Sequence, residues 1–241
     1  MNRFFVSDLA SDLVELSTAE AHHAMHVLRM KTGGAVELFD GRGRVARGEI
    51  VEARRGRVSI RVTARQAAVD RPRPFVHLAF AVPKGKRLDW LLEKTTELAA
   101  SSLTPVSFER SVVEPRGIAG AKRERWLGHC VAAAKQSGLN WLPELQEPTS
   151  LGDYLETFDR STSLGLVGSA EAGAATVSGV LAEKGGLRDI HLLVGPEGGL
   201  TETEYATAVA SGFVRVRLGQ TTLRIETACV SLLAAVIAQT E

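Results

Sequence analysis

The pattern of apolar and polar positions changes at one segment, RQAAVDRPRPF, which holds two prolines and four charged residues around positions 66–74. Beyond it, short apolar runs alternate with amphipathic stretches. The strand-like runs are FVHLAFAV, TPVSF, SLGLVG, IHLLV and FVRVRL. The helix-like stretches are KGKRLDWLLEKTTELAA, AKRERWLGHCVAAAKQSG, VSGVLAEKGG, the run from Thr201, and RIETACVSLLAAVIAQ. This alternation predicts an α/β domain over 74–241, with a mostly parallel sheet and helices on both faces.

The segment before the break, residues 1–70, is predicted to form a small strand-rich domain. A helix is predicted in LSTAEAHHAMHVLRMKTGG, because Ser17 and Glu20 have capping-box spacing and a glycine pair ends the run. Strands are predicted around the turn dipeptide Asp40–Gly41. Across 57–62, arginine and serine alternate with valine and isoleucine, so one strand face is apolar and the other basic.

The amino-acid composition limits the classes of protein to which the chain can belong. The chain has 241 residues, of which 44% are hydrophobic, enough for a buried core. Its two cysteines, Cys130 and Cys229, lie far apart in apolar stretches, which is typical of buried residues in a reducing compartment. No apolar run has membrane-spanning length, and the N-terminus has acidic residues where a signal peptide is apolar. We therefore expect a cytoplasmic protein that has no membrane partner.

Charge is unevenly distributed along the chain. The formal net charge is +1, yet the stretch from Arg29 to Arg73 holds twelve Lys or Arg against five Asp or Glu. A solvated basic face on a small β-domain explains this excess as well as a nucleic-acid contact does. Charge alone leaves both interpretations open.

A glycine-rich loop, GPEGGLTETE, follows the run IHLLV. It leaves a predicted strand and enters a helix at Thr201, which has capping-box spacing with Glu204. Ligands of open α/β sheets bind outside the carboxyl ends of strands, and glycines allow close approach to the backbone. The loop lacks the lysine of a phosphate-binding P-loop, and Glu197 would repel phosphate. It indicates either a ligand site without phosphate or simply a tight turn.

A second loop, LGQTTLRIETA, repeats this layout after the run FVRVRL. Arg224 stands at the entrance of the following helix, and Glu226 comes two residues later. If the two strands are neighbours, the loops flank one crevice of backbone groups, one arginine and one or two carboxylates. Such a crevice suits a flat, neutral or cationic nucleoside. No metal site is expected, because His22 and His26 lie one helical turn apart without a third ligand.

The two loops, LVGPEGGLTETE and LGQTTLRIETA, resemble those of the SPOUT-class methyltransferases of the ribosomal RNA small-subunit methyltransferase E family. The segments RFFV and HHAMHVLRMKTGGAVELFDGRG are similar to its PUA-like N-terminal domain, and KGKRLDWLLEKTTELAASSLTPVSFERSVV to its central part. The resemblance implies a SPOUT-type trefoil-knotted sheet preceded by a small β-barrel PUA-like domain. Pattern arguments alone would not propose a knot. It also implies a homodimer that methylates N3 of a uridine in 16S ribosomal RNA with S-adenosylmethionine.

Site residues follow from the resemblance and from the charge pattern. The resemblance places the cofactor at Leu166, Val167, Gly168, Val194, Gly195, Pro196, Glu197, Gly198, Gly199, Leu218, Gly219 and Leu223. The basic segment offers RNA contacts at Arg29, Arg54, Arg55, Arg57 and Arg61. Lys94 and Glu97 match family positions that face RNA, although a helix-surface ion pair is an equal alternative. The chain departs from the family pattern at Leu139, Gln220 and Thr221.

The expected chemistry follows from the substrate. The N3–H of uridine is mostly protonated at neutral pH, so the nitrogen must lose its proton before or during attack on the methyl group. The protein's part is positioning and help with that proton. Arg224 is the candidate for stabilising the uracil anion, and Glu226 for accepting the proton or orienting Arg224. The alternatives are methylation of another base or of a ribose 2′-hydroxyl, and an RNA-binding or assembly protein without catalysis.

Overall fold

The computed structural model describes residues 1–115, 117, 119–171, 173–184 and 189–240. Contacts divide the chain into two compact units. One consists of Met1–Arg71 with Val131–Leu142, and the other of Pro72–Cys130 with Pro143–Glu241. Within the described ranges, no helix is both long and apolar enough to cross a membrane.

The first unit is built on a five-stranded sheet with the order β1-β3-β4-β5-β2. Its strands are β1 (Asn2–Phe5), β2 (Leu13–Glu15), β3 (Ala35–Phe39), β4 (Val45–Arg54) and β5 (Arg57–Arg65). β1 pairs with β3 in parallel, and the other described pairs are antiparallel. The predicted alternation is confirmed, because Val58 and Ile60 are fully buried in the core while Arg57 and Arg61 are exposed.

The helix of this unit, α1 (Thr18–His22), continues as a π-helical turn over His23–Val27. Ser17 caps α1, because its Oγ accepts from the backbone N–H of Glu20 at 3.3 Å. The Glu20 carboxylate does not complete the predicted capping box. It accepts instead from the backbone N–H of Phe5 at 3.1 Å and pairs with Lys135 Nζ at 2.9 Å. Glu20 therefore fastens α1 to β1 and to the segment 131–142.

The second unit contains a parallel sheet with the order β11-β13-β10-β12-β6-β7-β8, and β9 also pairs with β7. All of its described strand pairs are parallel, which confirms the predicted sheet type. The strands are β6 (Phe75–Phe80), β7 (Ser102–Ser107), β8 (Glu144–Leu145), β9 (Thr149–Ser150), β10 (Ser163–Ser169), β11 (Ala175–Thr176), β12 (Asp189–Val194) and β13 (Phe213–Arg217).

Helices alternate with these strands along the chain. They are α2 (Lys86–Glu97), α3 (Ala121–Ser137), α4 (Leu151–Glu156), α5 (Val177–Glu183), α6 (Glu202–Ala210) and α7 (Ile225–Thr240), and α3 belongs to the first unit from Val131 onward. α7 contacts α2, α5, β6 and β12, whereas α4 contacts α6 and β7. The five predicted helices are present, and α4 is an addition. The predicted helix VSGVLAEKGG ends at Glu183, and its last two residues, 185 and 186, lie outside the described residues.

Candidate functional site

Three loops meet where β10, β12 and β13 end. β10 lies between β12 and β13, and all three strands run parallel, so their carboxyl ends are side by side. The loops surround one pocket. Nine of the residues predicted at this site line it: Gly168, Val194, Gly195, Pro196, Glu197, Gly199, Leu218, Gly219 and Leu223.

The other three predicted residues lie beside this pocket and do not line it. Leu166 and Val167 are fully buried within β10. Gly198 belongs to the loop after β12, but a Cβ atom added there would meet the side chain of Arg110 at 3.3 Å.

Thr221 and Thr222, which lie inside the predicted cofactor loop 218–223, also line the pocket, whereas sequence reasoning missed Ser169, Ala170, Leu200, Tyr205 and Ala228. Tyr205 stands in the first turns of α6, and its hydroxyl donates to the carbonyl oxygen of Gly168 at 3.0 Å. Burial raises the pKa of this phenol, so it remains a donor at neutral pH. The sequence signal that could have revealed Tyr205 is its position four residues after Thr201, one helical turn beyond the N-cap of α6.

The glycines of the GPEGG loop are required by geometry. Gly199 donates its N–H to the carbonyl of Pro196 at 2.8 Å and has a φ of 72°, a left-handed conformation that favours glycine. A Cβ atom at Gly195 would lie 2.0 Å from Cδ1 of Leu200. The loop is thus a tight turn folded back on the start of α6.

Helix α6 begins with the predicted capping box, which is confirmed. Thr201 Oγ1 accepts from the Glu204 N–H at 3.2 Å, and Glu204 Oε2 accepts from the Thr201 N–H at 2.8 Å. The segment after β7 holds the same loop. Glu109 donates its N–H to Glu204 Oε1 at 2.8 Å, and Arg110 Nη1 donates to the carbonyl of Gly198 at 2.9 Å. The loop is therefore anchored before any ligand arrives.

Charge in the pocket is sparse and acidic. Among the described lining residues, Glu197 is the one with a charged side chain. Arg87, in the first turn of α2, places Nη1 3.4 Å from Glu197 Oε1 and 3.9 Å from Glu226 Oε2. Sequence reasoning missed Arg87 because it lies far earlier in the chain than both carboxylates. The pocket as a whole suits an uncharged or cationic ligand with a flat part.

The two predicted catalytic residues lie at the start of α7 in different surroundings. Arg224 is exposed just before the helix and makes no ion pair within the described structure. Glu226 is buried, 7% exposed, and its Oε2 has no hydrogen-bond partner among the described residues. In the described structure, the cation beside Glu226 is Arg87. The predicted contact through which Glu226 would orient Arg224 is therefore absent from the described residues.

The residues predicted to contact RNA divide into paired and unpaired side chains. Lys94 Nζ lies 2.6 Å from Glu97 Oε1, which is the helix-surface ion pair of the alternative interpretation. Arg54 pairs with a neighbouring glutamate at 2.6 Å, and Arg57 makes two hydrogen bonds of 2.8 Å to Glu15. In the described part of the chain, three of them have no ion pair: Arg29, Arg55 and Arg61.

The structure also shows the surroundings of two other sequence features, Leu139 and the pair His22 and His26. Leu139, one of the positions that depart from the pattern of the resembled family, packs against an apolar cluster of Phe39, Val45 and Ala134 in the first unit. The rings of His22 and His26 lie 4.7 Å apart. No group of three possible metal ligands occurs within the ranges that the structure describes.

Comparison with known proteins gives matches along the whole chain. A family model described as RNA methyltransferase domain matches residues 71–237, and one described as RNA methyltransferase PUA domain matches residues 16–63. The chain is 31% identical to ribosomal RNA small subunit methyltransferase E of Bacillus subtilis, with 100% of this chain and 98% of that protein covered. It is 34% identical to the Mycobacterium tuberculosis protein of the same name, with 90% and 83% covered.

Solved structures agree in fold over the same range. The ribosomal RNA small subunit methyltransferase E of Neisseria gonorrhoeae, bound to S-adenosylmethionine, is 29% identical with a TM-score of 0.86, covering 99% of this chain and 97% of that one. A Legionella pneumophila structure in complex with the same cofactor is also 29% identical, with a TM-score of 0.87 and coverage of 98% and 97%.

Proposed function

This chain belongs to the ribosomal RNA small subunit methyltransferase E family, and from that premise we propose that it methylates N3 of a uridine in 16S ribosomal RNA with S-adenosylmethionine. The observation that carries the proposal is the pocket at the carboxyl ends of β10, β12 and β13, which the resemblance assigns to the cofactor. The relative from N. gonorrhoeae binds S-adenosylmethionine on the same fold.

The lining of the pocket fits this cofactor. Leu200, Leu218 and Leu223 provide apolar surface for a flat adenine ring, and the glycine-rich backbone beside them leaves room for its edge. Thr221 and Thr222 can hydrogen-bond to ribose hydroxyls. The carboxylate of Glu197 suits a positively charged ligand. When bound, the cofactor supplies a methyl group on a cationic sulfur that leaves as a neutral thioether.

The two residues at the start of α7 are proposed to act on the uridine. Arg224 is exposed and unpaired in the described structure, so its guanidinium is free to bind the uracil carbonyl oxygens as negative charge develops. Glu226 has a buried carboxylate oxygen without a donor, which makes it the proposed acceptor of the N3 proton. Positioning by the pocket and stabilisation of the anion together lower the barrier to transfer.

The remaining parts of the proposal concern RNA and assembly. We assign residues 1–70 to a PUA-like RNA-binding domain and 74–241 to the methyltransferase domain, with Arg29, Arg55 and Arg61 as free contacts to phosphate. Lys94 and Glu97 remain proposed RNA neighbours through their ion pair.

We also propose that the segment from β13 into α7 closes the trefoil knot and that apolar α7 packs against a second subunit. We propose a cytoplasmic location, because ribosomal RNA is the proposed substrate.

The experiment identifies the methylated nucleoside. Small ribosomal subunits that lack the modification are incubated with the protein and S-adenosylmethionine, and the digested RNA is analysed by chromatography and mass spectrometry. We expect one 3-methyluridine per subunit, and none without the protein. Detection of a 2′-O-methylated nucleoside or of another methylated base would contradict methylation at N3 of uridine. Absence of methylation together with intact RNA binding would favour the non-catalytic alternative.

A further inference from the structure

One arginine stands between two carboxylates that belong to different elements of the site. Arg87 Nη1 lies 3.4 Å from Glu197 Oε1, in the loop after β12, and 3.9 Å from Glu226 Oε2, at the start of α7. Neither distance is that of a close charge-assisted hydrogen bond. A single positive charge is therefore shared between the pocket and the proposed proton acceptor.

The surroundings of Glu226 make this arginine important. Glu226 is buried, and its Oε2 receives no hydrogen bond among the described residues. Cys229, on the same helix, has a thiol whose pKa is raised by burial and by the charge of Glu226. A buried carboxylate without a donor is costly unless a nearby charge compensates it. Within the described structure, the cation paired with Glu226 is Arg87.

We infer that Arg87 is a positioning residue for methyl transfer, which orients Glu226 and sets the net charge at the Glu197 side of the pocket. The inference rests on the proposed function. Two carboxylates and one guanidinium leave one negative charge at this side of the pocket. A cationic cofactor is therefore favoured over its neutral product, S-adenosylhomocysteine, because only the cofactor carries the positive sulfur.

The chain offers a matched control. Arg125 on α3 pairs with Asp89 of α2 at 2.7 Å, is largely exposed, and makes no contact with the pocket lining among its described interactions. Arg87→Met and Arg125→Met thus each remove one ion-paired arginine, the first from α2 itself and the second from α3, where it pairs with α2. Arg87→Lys keeps the charge without the planar guanidinium. Thermal melting of each variant establishes that it is folded.

The first readout is cofactor preference, measured by calorimetric titration with S-adenosylmethionine and with S-adenosylhomocysteine. Arg87→Met removes the cation beside Glu197, which lines the pocket, so it should raise the preference for S-adenosylmethionine by about threefold to tenfold. Glu226→Gln should lower that preference, and Arg125→Met should leave it unchanged. An unchanged preference in both Arg87→Met and Glu226→Gln would contradict the shared charge.

The second readout is the rate of methyl transfer at saturating substrates. We expect kcat to fall about tenfold to a hundredfold in Arg87→Met, with partial recovery in Arg87→Lys. The double variant Arg87→Met with Glu226→Gln should be no slower than Glu226→Gln alone, because Arg87 acts through Glu226. Additive losses would overturn the inference. Failure of the wild-type protein to bind S-adenosylmethionine would instead refute the proposed function.

Discussion

Single residues at the pocket are constrained by backbone geometry. Gly199 has a left-handed φ of 72°, whereas Gly219 lines the same pocket without that conformation. A Cβ atom at either position meets no other atom within 4 Å. Space is therefore equal at the two positions, and only backbone strain distinguishes them.

The pair Gly199→Ala and Gly219→Ala tests this distinction. Gly199→Ala should lower the free energy of unfolding by about 1–2 kcal/mol, because an L-residue is strained in the left-handed region. Gly219→Ala should change it by less than about 0.5 kcal/mol. Urea denaturation of the two variants gives both numbers, and equal losses would mean that the turn is not strained.

His191 makes stability depend on pH. Its Nδ1 is hydrogen-bonded to the Tyr154 hydroxyl at 2.9 Å, and its ring stacks on His77 with centroids 4.6 Å apart. Burial and the neighbouring His77 lower the pKa of His191 from 6.5 to about 4. The unfolded chain thus binds a proton at higher pH than the folded chain, so stability falls as pH decreases from about 6.5 towards 4.

The variant His191→Phe keeps an aromatic ring but cannot titrate. Between pH 7 and pH 5, the wild-type protein should lose about 2 kcal/mol of unfolding free energy relative to this variant. Denaturant titrations at both pH values measure the difference, in which the carboxylates common to both proteins cancel. Parallel losses in the two proteins would show that His191 titrates normally in the folded state.

At the scale of elements, the loop after β12 is stable because helix α6 and the segment after β7 both hold it. Glu204 accepts hydrogen bonds from Thr201 and from Glu109, whereas Glu202 in the same turn has a side chain that is 90% exposed. Glu204→Ala should lower the unfolding free energy by about 1–2 kcal/mol. Glu202→Ala should change it by less than about 0.5 kcal/mol. Equal effects, measured by thermal or urea unfolding, would contradict the anchoring role of the capping box.

Local features of these elements could be predicted from the sequence, and long-range contacts could not. The capping box at Thr201 and the order of strands and helices depend on neighbouring residues, so spacing revealed them. Arg87 and Arg110 reach the loop from distant segments, and no spacing connects them to it. Glu20 has the right spacing for a capping box, but tertiary contacts with Phe5 and Lys135 take its carboxylate.

At the scale of the whole molecule, the basic first unit is proposed to bind RNA while the second unit binds the cofactor. The structure separates its arginines into two comparable pairs. Arg54 and Arg57 are already paired with glutamates, and Arg55 and Arg61 have no ion pair in the described residues. Counterion release requires that arginines bound to phosphate steepen the salt dependence of affinity.

The double variant Arg55→Gln with Arg61→Gln should therefore weaken RNA binding and flatten the plot of log affinity against log salt by about one to two units. The double variant Arg54→Gln with Arg57→Gln should flatten it less, because glutamates already balance those charges. Affinity for a 16S RNA fragment at several salt concentrations provides the slopes. Identical slopes in all three proteins would mean that the basic face is only solvated.

The measurement that bears most directly on the central claim is calorimetric titration with S-adenosylmethionine of the wild-type protein and two phenylalanine variants. Ala228 lines the pocket and the adjacent Thr227 is exposed, so Ala228→Phe should fill the pocket and Thr227→Phe should not. We predict one cofactor per chain for the wild-type protein and for Thr227→Phe, and no detectable binding for folded Ala228→Phe. Absence of binding in the wild-type protein, or unchanged affinity in Ala228→Phe, would contradict the assignment of this pocket to the cofactor.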